Sequence, residues 1–128
     1  MKKCYCQSGK LYEECCQPYH LQIAYPKKPE LLMRSRYSAY VLGLVDYIVK
    51  TTVPAQQALL DRVAIEQWSH QVAWKGLDVL QVKNIPGSHQ AKVEFNAYYT
   101  ENGVDKVHHE YSVFLKISGQ WYFKDPSV

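Results

Sequence analysis

The stretch Leu31 to Lys50, LLMRSRYSAYVLGLVDYIVK, most limits what this chain can become. Met33, Tyr37, Tyr40, Val41, Leu44, Tyr47 and Ile48 recur at steps of three and four, the period of a helix with one buried stripe. Pro29 stands just ahead, where a missing N–H costs nothing, and Glu30 suits the positive end of the helix dipole. Thr51, Thr52 and Val53 are β-branched and precede Pro54, which ends the helix. Leu59, Leu60, Val63 and Ala64 fit a short second helix, and Trp68 to Trp74 reads equally as helix or strand.

The remainder reads as strand. Gly76 to Lys83 begins the series, and Pro86-Gly87 turns it. Val93, Phe95, Ala97 and Tyr99 alternate with Lys92, Glu94, Asn96 and Tyr98, as in a half-buried strand. Asn102-Gly103 is a hairpin signal, Val107 to Ile117 the next strand, Ser118-Gly119 another turn, and Trp121 to Lys124 the last strand. Strands apolar on one face need an apolar cover, and the first helix supplies it, giving an α+β fold.

All four cysteines lie near the start, as Cys4-Tyr5-Cys6 and Cys15-Cys16. Two close pairs of thiolates are what a tetrahedral zinc ion takes, and Ser8-Gly9 offers the sharp turn between them. Two disulfides are the competing reading. It would require redox-stable bridges without an export signal, and a strained bridge between adjacent cysteines. With four protein ligands a zinc ion has no open position for water, so one structural Zn²⁺ is expected, held by Cys4, Cys6, Cys15 and Cys16.

At 128 residues the chain suits a small knuckle, residues 1–22, and one larger domain, residues 23–128. A net charge of +3, with no Lys/Arg run beyond two residues, argues against a nucleic-acid binder. No apolar run approaches the ~20 residues of a membrane span. Met-Lys-Lys-Cys has charges but no apolar segment before the cysteine, so a cytoplasmic location is expected.

The run KCYCQSGKLYEECC resembles the SEC-C motif, a zinc knuckle also found at the end of the SecA translocation ATPase. Cys4, Cys6, Ser8, Gly9, Cys15 and Cys16 all match it, while Tyr5 and Gln7 replace a frequent proline and glycine. Together with Pro18-Tyr19, Met33 to Val41, Trp74-x-Gly76-Leu77, Glu110-x-Ser112-x-Phe114 and Gly119-Gln-Trp121-Tyr122, it resembles the YchJ family. That resemblance implies a SEC-C knuckle before a nuclear transport factor 2-like cone, with helices packed on a curved antiparallel sheet. Many family members carry a second knuckle. The residues after Cys16 contain no cysteine.

Cones of this kind often enclose a pocket, for which Arg34, Tyr37, Tyr40, Trp74, His109 and Glu110 are the candidates. His109 falls on the more apolar face of its strand, a place for a general base or for a hydrogen-bonded core histidine. Glu110 is expected to pair with Arg34 or Arg36, and Asp46 to be a plain helix-face charge. No catalytic residue is assigned. The resemblance to the SecA knuckle implies a protein partner, making the chain a zinc-binding adaptor. The alternative is a small-molecule binding protein or enzyme using the cone pocket. Under either reading, the resemblance to cone domains implies a homodimer through the open sheet face.

Overall fold

The computed structural model describes residues 2–128. The chain first folds back on itself, with the Cys4 N–H donating to the Lys10 carbonyl at 2.7 Å and the Tyr12 N–H to that of Lys2 at 3.1 Å. Gly9 makes the turn at φ +87°. A 3-10 turn at Tyr12–Glu14 and helix α1, Gln17–His20, complete the knuckle.

Helix α2 runs Pro29–Leu42 and α3 Val45–Lys50, so the single helix expected over 31–50 is two. The break is Gly43, left-handed at φ +71°, where a Cβ would lie 2.9 Å from the His70 ring. Only glycine meets both conditions without strain. The break bends α3 back along α2. Nor is α2 buried along one stripe. Leu32, Met33 and Tyr37 enter the core with Val93, Phe95, Phe114 and Trp121, while Ala39 packs on Tyr47 and Ile48. Ser35 and Ser38 are fully buried between these sides. A helix covered on both sides loses the amphipathic pattern of a surface helix.

Helix α4, Pro54–Gln57, precedes α5, Arg62–Gln71, which starts where the Asp61 carboxylate caps the Ala64 N–H at 3.0 Å. The second helix therefore begins later than expected, and Leu59 and Val63 point to solvent. Trp68 lies in the last turn of α5 and Trp74 belongs to β1, their rings meeting edge-on at 5.8 Å.

The sheet is an antiparallel meander in the order β1 (Ala73–Ile85), β2 (Gln90–Glu101), β3 (Val104–Ile117) and β4 (Gln120–Lys124). Ala91, Val93, Phe95 and Ala97 on β2 face the helices, as their alternation predicts. Register places Ser112 beside Val93, Glu110 beside Phe95 and His108 beside Ala97, so these β3 residues share the inner face. His109 is turned outward, where its Nε2 meets the exposed-face Glu94 carboxylate at 2.6 Å. Two irregularities in β1, after Trp74 and after Val79, bend the sheet around α2. Among the described residues no helix is long and apolar enough to cross a membrane.

Candidate metal centre and cone cavity

The knuckle brings its four sulfurs within 4.8 Å of one another. A tetrahedral ion with metal–sulfur bonds of about 2.3 Å holds its sulfurs about 3.8 Å apart. Cys6 Sγ and Cys15 Sγ are 3.6 Å apart, and Cys15 Sγ and Cys16 Sγ 3.9 Å, so the donor set fits such an ion. Protons on the free thiols are unevenly shared. Hydrogen bonding from Cys16, then from Cys6, holds Cys4 far below an ordinary thiol, and the same contact with Cys4 pushes Cys16 far above. Burial raises Cys15 to about 11. A cation in the cluster drives all four to thiolate.

Supporting contacts come from both sides. The Ser8 hydroxyl lies 3.1 Å from Cys15 Sγ within the knuckle, and Ser38 Oγ on α2 lies 3.4 Å from Cys16 Sγ and 3.6 Å from Cys4 Sγ. His20 joins the two parts. Its Nε2–H donates to the Ser35 carbonyl at 2.8 Å, which fixes the tautomer and leaves Nδ1 to accept from the Tyr12 hydroxyl at 2.7 Å. Burial keeps this imidazole's pKa low and the ring neutral. Arg34, expected in the cone pocket, serves the knuckle: its Nη1 donates to the Cys6 carbonyl at 2.7 Å and its Nε to Glu30 at 3.0 Å.

Under α2 the concave sheet encloses a cavity of about 110 Å³. Of the sequence candidates, Tyr37, Tyr40, Trp74 and Glu110 line it, whereas Arg34 and His109 lie elsewhere. Arg36, His108 and Ser112 take their place. Glu110 pairs with neither arginine directly. Its carboxylate accepts from Ser112 at 2.9 Å and faces His108 Nε2 at 3.7 Å. The contact with Glu110 raises the His108 pKa, and the contact with His108 lowers that of Glu110.

The sequence does not single out His108 and Ser112, because the more apolar side of β3 suggests the inside; their parity with Glu110 and Phe114 is the available signal. Ser38 and His20 left no local signal, since their partners are distant in sequence.

The family model described as "YchJ, middle NTF2-like domain" matches residues 28–126. A UPF0225 protein of Actinobacillus succinogenes is 45% identical over 98% of this chain and 81% of its own length. One from Haemophilus influenzae Rd is 43% identical over 100% and 79%. Among solved structures, a SEC-C motif protein from Psychrobacter arcticus superposes with a TM-score of 0.94 at 41% identity, covering 100% of this chain and 83% of that one. Another, from Rhodopseudomonas palustris, gives 0.88 at 41% identity, covering 95% and 94%. With its SEC-C cysteines set against a nuclear transport factor 2-like domain, the chain belongs to the YchJ family.

Proposed function

We propose that the protein is a zinc-binding docking module whose knuckle shapes a contact surface for a protein partner. Zinc is favoured over other divalent ions by the donor set, since four thiolates in a tetrahedral arrangement suit it best. Four protein ligands fill that coordination shell, which makes the metal structural.

The observation that carries the docking reading lies where the knuckle meets the larger domain. Leu21, Ile23 and Tyr25 are 61%, 77% and 56% exposed, three apolar side chains within five residues on a segment anchored by His20 and Tyr19. Apolar side chains grouped this way on a surface mark interaction sites. Four thiolates and a divalent cation also bring the loaded chain from +3 to about +1, which disfavours phosphate backbones as the partner.

The test is capture of partners from a native lysate by the wild type, Cys15→Ser and Ile23→Asp. A partner retained by the wild type and lost with both variants is expected. Equal retention by all three would end the reading.

A further inference from the structure

Arg36 is 7% exposed, yet no carboxylate touches it among the described residues. Only one of its nitrogens is engaged. Nη1 donates to the Ile48 carbonyl at 2.8 Å and to Thr51 Oγ1 at 2.7 Å, with Thr52 Oγ1 at 3.4 Å. One face of the guanidinium lies over the Phe123 ring, 4.4 Å from its centroid. Nε and Nη2 make no hydrogen bond, yet no fully buried side-chain nitrogen or oxygen lacks a partner among the described residues. Those two nitrogens therefore keep access to open space, and the space that Arg36 lines is the cavity under α2.

Nε–H and Nη2–H are the parallel pair that a carboxylate grips with both oxygens. A buried cation with no carboxylate in contact is costly, so an anion arriving at this edge gains more than it would at the surface. Glu110, the carboxylate on the cavity wall, is committed to Ser112 and faces His108. Met33, Trp74, Phe95, Ala97, Phe114 and Phe123 make the apolar part of the wall. A cavity of about 150 Å³ holds the six carbons of benzene, so one of about 110 Å³ takes about four to five non-hydrogen atoms, the size of propionate.

We propose that the cavity under α2 binds a small monocarboxylate with a short apolar tail, gripped side-on by Nε and Nη2 of Arg36. The site is independent of the docking surface.

The test titrates the zinc-loaded protein with propionate, and with propylamine and propionamide as cationic and neutral analogues, following amide and arginine Nε–H NMR signals. Propionate should shift the Arg36 Nε–H and the Ala97 and Phe114 amides saturably, with both analogues about tenfold weaker or worse. Ala97→Leu, which fills the cavity and leaves Arg36 in place, should abolish the shifts. Arg36→Lys keeps the charge without the paired donors and should weaken propionate about tenfold. No propionate shift at Arg36, equal binding of the amine, or propionate shifts surviving in Ala97→Leu would each overturn the proposal. Should Arg36→Lys fail to fold, the ligand series and Ala97→Leu still decide.

Discussion

The Ser38 hydroxyl donates to the Cys16 sulfur across 3.4 Å, although the two residues are 22 apart in sequence. It ties the main helix directly to the cysteine cluster. Hydrogen bonds to ligating sulfur offset thiolate charge and orient the ligand, and losing such a partner typically costs about 10–100-fold in metal affinity. Ser38→Ala removes the hydroxyl without adding bulk. It should weaken metal binding by about tenfold or more, measured by competition with a chromogenic chelator, and leave the stoichiometry at one per chain.

Chelation should act unevenly. The knuckle's buried cluster is Cys4, Cys6 and Cys16 with Tyr12 and Cys15 against it, so its own core is small and a bound metal would supply most of its cohesion. The larger domain has its own core between α2 and the sheet. By amide exchange, the segment from Cys4 to His20 should lose protection on chelation, while β2 and β3 keep theirs. Helix α2 should show a partial loss, because Ser35 and Ser38 lose their cover from the knuckle. Uniform loss would make the metal a condition for the whole fold.

Gly43→Ala tests the break between α2 and α3. The left-handed backbone costs alanine roughly 1–2 kcal/mol, and the new Cβ must also displace the His70 ring. Denaturant unfolding should show a loss of at least about 1 kcal/mol with an unchanged m-value. An unaltered midpoint would mean that the helices rejoin without penalty.

His108 and Glu110 give the cavity rim a defined pH response. The His108 pKa is raised, so its contribution to stability is complete below the ordinary histidine value and fades as pH rises through the folded value. The Glu110 pKa is lowered, so its contribution is present above the ordinary carboxylate value and fades as pH falls through the folded one. The pair is therefore strongest in mildly acid solution. Both side chains are partly exposed, which keeps the energetic effect small. NMR titration should find that Glu110→Gln moves the His108 pKa down toward 6.5. No movement would separate the two groups electrostatically.

The amino-acid sequence alone determined the features that depend on near neighbours. The spacing of Cys4, Cys6, Cys15 and Cys16 prescribed a four-sulfur cluster. Alternation from Val93 to Ala97 set the inner face of β2, and Asn102-Gly103 set the hairpin that follows. Tertiary structure decided the rest. Gly43 breaks the helix where His70, from a later helix, occupies the space a Cβ would need. Both faces of β3 mix polar and apolar residues, so pattern alone could not choose between them. Pairing with β2 turned Glu110 and His108 inward and His109 outward, since a strand has only two faces and its neighbour's register selects one. Arg34 and Arg36, two residues apart on one helix, part in the same way, one to the knuckle and one to the cavity. A helix turns about 200° over two residues, and what lies on either side is supplied by chain far away in sequence.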